Sequence, residues 1–166
     1  MSARILVVDD EQDTLNLLRT ILEISGHKPI TTLNSVDAIG LAEAEKPDVV
    51  LLDIMMPKLD GFTLCKMMRA HTATQNLPII FVTAYEALDI EERRTEAGAD
   101  LVIHKPIDVD RLIGAIGEAQ KIRADAKTPP AAPPNDHPPA KTQEAALVNQ
   151  KQSDGTGKTS LGENKP

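Results

Sequence analysis

Two hydrophobic rhythms alternate along the first three quarters of the chain. One is the short run that is apolar almost throughout: Ile5-Leu6-Val7-Val8, Val49-Val50-Leu51-Leu52, Ile79-Ile80-Phe81-Val82 and Leu101-Val102-Ile103. Such runs are too short for helices and too continuous for strands with one wet face, so they read as strands buried on both sides of a parallel sheet. The other rhythm places apolar residues three and four apart, as in Leu15, Leu17, Leu18, Ile21, Leu22 and Ile24, and predicts a helix that Gly26 stops.

The same alternation continues to Arg123. A strand over 28–32 leads to an Ala-rich helix over 35–45, with Val36, Ile39 and Leu41 toward the core and Pro47 closing it. The strand over 49–53 is followed by a turn through Asp60-Gly61 and a helix over 62–70, whose Leu64, Cys65 and Met68 share one side. A strand over 77–82, a polar helix over 88–96 ended by Gly98, and a strand over 101–104 come next. Asp108 then caps a final helix that runs to Arg123. Five strand–helix units in this order predict an α/β, doubly wound (βα)5 domain, a flavodoxin-like five-stranded parallel sheet, because each crossover helix returns right-handed to lay down the next strand.

In such sheets ligands bind at the carboxyl ends of the strands. Asp9 and Asp10, Asp53, Thr83 and Lys105 stand at four of those ends. Taken alone, Asp53 is as readily a turn residue, since Asp is common where strands stop; the convergence of the other ends favours chemistry. Carboxylates gathered on one edge repel each other and call for a cation. Oxygen donors select a hard ion, and magnesium suits a site that also takes phosphate oxygens. With Lys105 as a fixed positive charge and Thr83 as a hydroxyl donor, the set fits phosphoryl transfer to Asp53, an ionised carboxylate that needs no general base.

Charge and composition narrow the choice. Of 166 residues, 18 are Lys or Arg and 25 are Asp or Glu, and the whole net charge of −7 lies before Ala124. An acidic domain without grouped basic residues argues against direct nucleic-acid binding. The single cysteine, Cys65, excludes an internal disulfide and fits a reducing cytoplasm. No signal peptide or membrane span precedes the first strand, so no membrane association is expected. Residues 124–166 hold seven of the 12 prolines and almost no large apolar residues, and a disordered, Pro-rich, low-complexity tail is expected there beside a domain over 1–123.

Val7-Val8-Asp9-Asp10-Glu11, Leu51-Leu52-Asp53-Ile54-Met55-Met56-Pro57 with Asp60-Gly61, Val82-Thr83-Ala84, and Gly98-Ala99-Asp100 with Lys105-Pro106 together resemble the receiver domain of two-component response regulators, of the single-domain, chemotaxis-regulator-like kind. The resemblance spans residues 3–122. It implies that Asp53 takes a phosphoryl group from a histidine kinase or a histidine phosphotransfer protein. It also implies that Asp10, Asp53 and the backbone carbonyl of Met55 hold magnesium with Asp9 assisting, that Lys105 pairs with Asp53, and that Thr83 moves to hydrogen-bond the phosphoryl group. The Lys105-Pro106 peptide is expected to be cis, an isomer tolerated before proline. Such a protein is a signalling phosphoacceptor rather than an enzyme, apart from its own phosphorylation and dephosphorylation. It works in the cytoplasm through a downstream effector protein, with a phosphorylation-dependent homodimer as a further form.

The chain departs from the pattern at Val102, where similar domains usually carry Tyr or Phe. Valine has no ring to swing and little χ1 freedom. Tyr85, two residues after Thr83, is the candidate substitute, against the plainer expectation of an exposed side chain. Three other functions are open to such a chain. A phosphorelay intermediate handing the group to a histidine phosphotransfer protein is compatible with Val102, and so is a phosphorylation-independent interaction module, which the intact site residues oppose. A haloacid-dehalogenase type phosphohydrolase also forms an aspartyl-phosphate, but its nucleophile resembles the first Asp of an Asp-x-Asp motif, whereas Asp9 and Asp10 are adjacent and no cap insertion is present. Gly155-Thr156-Gly157-Lys158-Thr159-Ser160 lacks the first glycine of a phosphate-binding loop, because that position is Gln152. His104, next to Lys105 on a strand, is expected to face away from the site.

Overall fold

A computed structural model describes residues 1–127. Five parallel strands form one sheet in the order β2-β1-β3-β4-β5: β1 Arg4–Val8, β2 Lys28–Thr32, β3 Val49–Leu52, β4 Ile79–Thr83 and β5 Leu101–His104. Five helices connect and follow them: α1 Gln12–Ile24, α2 Ala38–Glu45, α3 Gly61–Ala70, α4 Ile90–Ala97 and α5 Val109–Lys127. The expected doubly wound fold is the observed one, with β3 at the centre of the sheet and all four of its residues fully buried.

The apolar runs have to be continuous because alternate side chains feed two separate cores. Leu6, Val8, Val50, Leu52, Ile79 and Phe81 point to the face covered by α2, α3 and α4, where they meet Ala42, Leu64, Met68 and Ala97. Ile5, Val7, Val49, Leu51, Ile80, Val82 and Ile103 point to the opposite face and meet Leu15, Leu18 and Leu22 of α1 with Leu112, Ile116 and Ala119 of α5. Strand periodicity of two makes a single run serve both layers. Cys65 lies in the first core, and burial pushes its thiol up to about 11.

Several expected details shift. Leu17 and Ile24 of α1 are exposed, because each sits two residues, about 200°, around the helix from the buried Leu15 and Leu22. The second helix begins with a 3-10 turn over Ser35–Asp37, which leaves Val36 exposed and makes Ala38 and Ala42 the inward residues, with Ile39 and Leu41 partly buried beside them. Helix α4 starts at Ile90, so Leu88 stands in solvent. Helix α5 does not stop at Arg123 but runs to Lys127. Arg123 is held within it by an ion pair from its Nε to Asp100 Oδ1 at 2.8 Å, while Asp100 Oδ2 accepts the Ile79 N–H at 2.8 Å and pairs with Arg69. The remainder of the expected tail lies outside the described residues.

The two glycines of α5, Gly114 and Gly117, are exposed, and a Cβ at either would meet nothing within 4 Å. Alanine should therefore recover helix propensity without a clash. Gly114→Ala and Gly117→Ala are each expected to stabilise the domain by about 0.5–1 kcal/mol, read as a higher urea midpoint at unchanged slope. An unchanged or lowered midpoint would show that the surrounding space is not free.

Candidate functional site

Strand register assembles the site. Val8 pairs with Leu52, and the Asp53 N–H continues that ladder to the Val8 carbonyl at 2.9 Å, so Asp9 and Asp53 leave adjacent strands side by side. On the next strands Thr83 pairs with His104, and the Lys105 N–H bonds the Thr83 carbonyl at 2.9 Å. Residues that are far apart in sequence thus meet at one sheet edge. The Lys105-Pro106 peptide is cis.

The cluster is acidic and largely withdrawn from water. Carboxylate oxygens of Asp9, Asp10 and Asp53 lie within 4.8 Å of one another, with Asp9 and Asp53 buried and Asp10 exposed. Lys105 Nζ donates to Asp9 Oδ2 at 2.9 Å and stands 3.8 Å from Asp53 Oδ2 and 4.0 Å from Glu11 Oε2. The amine therefore reaches Asp53, as the family resemblance implies, but its nearest partner is Asp9. Asp9 Oδ1 accepts the Glu11 N–H at 2.9 Å, and Asp53 Oδ1 accepts the Ile54 N–H at 2.8 Å. The Thr83 hydroxyl, fully buried, accepts the Tyr85 N–H at 3.1 Å and stands beside the Asp53 carboxyl, whose pKa it lowers.

Burial pushes the Asp53 carboxyl above the usual carboxylate range, and the charge of Asp9 adds to the rise, while Lys105, Thr83 and the Ile54 amide oppose it. Asp9 is raised by burial in the same way, against the Glu11 amide and Lys105. Burial works against the charged Lys105 amine, but its hydrogen bond to Asp9 and the charges of Asp9, Asp53 and Glu11 outweigh it, so its pKa rises. Three carboxylates face one ammonium. Such an oxygen-only set with surplus negative charge is fitted to a hard cation.

Helix α3 presses on the same site. Its first residue, Gly61, donates its N–H to the Ile54 carbonyl at 2.8 Å, and a Cβ there would collide with the Asp53 carbonyl oxygen and lie 2.7 Å from the Ile54 Cα. Only glycine permits that approach. Asp60 caps the helix, its Oδ1 accepting the Thr63 N–H at 3.0 Å. Sequence reading treated Asp60-Gly61 as a turn and missed the contact, because Asp-Gly carries no mark that separates a turn from a close backbone crossing. It also missed Phe62 and Arg93, which enclose Tyr85. Met55, two residues beyond Asp53, has a side chain 61% exposed. His104 stays out of the cluster and lines an open groove with Glu86, Leu88 and Ile90. A hollow of about 550 Å³ opens at the amino ends of β3 and β4, beside Pro47, Pro78 and Arg123. It lies at the far end of the strands from the carboxylates, so this chemistry rests on charge rather than on concavity.

The family model of the response regulator receiver domain matches residues 5–117. The chain belongs to this family. The polar-differentiation response regulator DivK of Brucella anthropi is 34% identical over 116 residues, covering 70% of this chain and 94% of that protein. Response regulator PleD of Caulobacter vibrioides is 37% identical over 108 residues, covering 65% of this chain and 24% of PleD. Among solved structures, the CheY-like receiver domain protein of Methanospirillum hungatei superposes with a TM-score of 0.67 at 28% identity, covering 76% of this chain and 99% of that one. Vibrio cholerae CheY4, at 23% identity and a TM-score of 0.68, shares the fold. Within this receiver no helix among the described residues is long and apolar enough to cross a membrane.

The raised pKa of Asp53 has a consequence for stability. A carboxyl whose folded pKa exceeds its unfolded value of 3.8 weakens the fold when ionised, and that penalty vanishes as pH falls through the unfolded value. Metal-free Asp53→Asn protein should therefore have a higher urea midpoint than wild type at pH 7, with the gap closing toward pH 4. Added divalent cation should narrow the gap at pH 7 by binding the wild-type fold preferentially. Equal midpoints at pH 7 in a chelator would show that burial does not strain this carboxylate.

Proposed function

We propose that this receiver is a phosphoacceptor response regulator: Asp53 takes a phosphoryl group from the phosphohistidine of a kinase or phosphotransfer protein, and the phosphorylated domain signals to a protein effector in the cytoplasm. The observation that carries the reading is the position of Asp53, a buried carboxylate at the end of the central strand within reach of one ammonium and one hydroxyl.

The transfer is a displacement at phosphorus. An Asp53 carboxylate oxygen forms the new P–O bond as the P–N bond of the donor breaks, and the donor histidine ring, already protonated at its other nitrogen, keeps the electron pair and departs as neutral imidazole. No proton has to leave Asp53. Lys105 stands close enough to follow the charge that moves from the carboxylate to the phosphoryl oxygens, and it leaves Asp9 paired if it does not. The Thr83 hydroxyl is a second donor beside the carboxyl, in addition to the backbone amide of Ile54. Asp10, Asp53 and the Met55 carbonyl would hold magnesium, with Asp9 assisting, and the ion would supply positive charge to offset that of the phosphoryl group. The surplus charge of the Asp9, Asp10 and Asp53 cluster supports that assignment.

Intact-mass spectrometry after incubation with acetyl phosphate tests the reading. Wild type should gain the mass of one phosphoryl group in magnesium and none in a chelator, and Asp53→Asn should gain none while keeping its fold by circular dichroism. Lys105→Ala should slow uptake by the order of 10²-fold or more, the scale of losing a charge-stabilising donor. Undiminished uptake by Asp53→Asn would sink the assignment of the acceptor.

A further inference from the structure

The residue at the usual ring position, Val102, is half-buried against the core face that carries α3 and α4 and offers no group that could report on the acceptor. A different set of contacts leads outward from it. Thr83 is fully buried, and its hydroxyl accepts the Tyr85 N–H at 3.1 Å while standing beside the Asp53 carboxyl, whose pKa it lowers. Tyr85 is not a free surface side chain. Its ring meets Phe62 edge-on at 6.1 Å and 82°, and its hydroxyl accepts from Arg93 Nη1 at 2.6 Å. The Arg93 guanidinium lies 4.0 Å over the Phe62 ring and 5.5 Å from that of Tyr85, and Phe62 in turn meets Phe81 of β4 at 5.3 Å. Tyr85 thus joins the loop after β4 to the first turn of α3 and to the half-buried Arg93 of α4.

Resting on the phosphoacceptor reading above, we propose that Tyr85 and Arg93 relay the state of Asp53 to α4. Phosphorylation turns a carboxylate oxygen into an ester oxygen and sets charged acceptor oxygens beyond it. A hydroxyl donor follows the charged acceptor, which makes the stronger hydrogen bond. When Thr83 follows, the buried acceptor of the Tyr85 N–H moves with it, and the backbone of Tyr85 follows in turn or loses that bond. The ring then leaves its edge-on seat on Phe62, and Arg93 loses its hydroxyl partner. The output is a change in the charge presented by α4, where Arg93 is one of two cations on a helix that also bears Glu91, Glu92 and Glu96.

Tyr85 is the only tyrosine, and the chain has no tryptophan, so intrinsic emission reports on this one ring. The experiment follows Tyr85 emission and the amide resonances of Ile90–Ala97 in the full chain, before and after acetyl phosphate and magnesium, with uptake measured by mass in the same samples. Wild type should show an emission change and shifted α4 resonances that scale with the fraction phosphorylated. Tyr85→Phe keeps the ring but not the acceptor, and Arg93→Ala removes the donor. Both should take up the phosphoryl group as wild type does, yet lose most of the α4 shift. Full uptake with unchanged Tyr85 emission, or α4 shifts of wild-type size in both variants, would overturn the relay alone. No uptake by wild type would overturn the phosphoacceptor reading and the relay with it.

Discussion

The ion pair between Lys105 and Asp9 closes the site from the two ends of the domain's sequence, joining residues separated by 96 positions. Its geometry depends on strands that cannot shift. Each strand end is fixed by ladder bonds to its neighbours, and β1, β3 and β4 are buried on both faces, so the carboxylates cannot swing out to water as surface side chains would. Lys105 then has to serve two acceptors with one charge. It hydrogen-bonds Asp9 and only approaches Asp53, which leaves Asp53 the less neutralised of the two and the one open to chemistry.

That arrangement places function against stability within a few ångströms. Burial raises both carboxyls, and a neighbouring carboxylate adds to each rise, Asp10 on Asp9 and Asp9 on Asp53, so the folded domain carries a penalty that the apolar strands and the two cores offset. The relief comes from whatever positive charge arrives. A site built this way responds to charge at its mouth because it is short of charge at rest.

The fold was legible because the informative residues are those of the strands, where burial on both faces leaves an unbroken apolar run that no helix of that length would show. Convergence of Asp9, Asp53, Thr83 and Lys105 followed from topology alone. Other features depended on facts that no local pattern carries. Val36 belonged to a helical pattern, but a 3-10 turn rotated it outward. The composition change after Arg123 looked like a boundary, although Ala124-Asp125-Ala126-Lys127 contains good helix formers and the first proline comes only at Pro129. The packing of Gly61 on the Asp53 carbonyl, and the meeting of Phe62, Tyr85 and Arg93, are tertiary contacts between segments whose own sequences specify only a turn, a loop and a polar helix.

Those tertiary contacts share a pattern. The backbone of Asp53 meets Gly61, and the next residue is Phe62; the carboxyl of Asp53 has its pKa lowered by the neighbouring Thr83, and two residues on is Tyr85. Each segment beside Asp53 therefore carries an aromatic ring almost at once, and the two rings meet edge to face beneath one guanidinium. An aromatic pair of this geometry adds roughly 0.5–1.5 kcal/mol beyond its buried area, and the cation over Phe62 adds a comparable amount. Energies of that size hold a loop in place without fixing it against a redistribution of charge nearby. Such a contact is strong enough to define one arrangement and weak enough to give way to another, and under the proposed phosphorylation of Asp53 the change would begin at the Thr83 hydroxyl, which accepts the Tyr85 N–H.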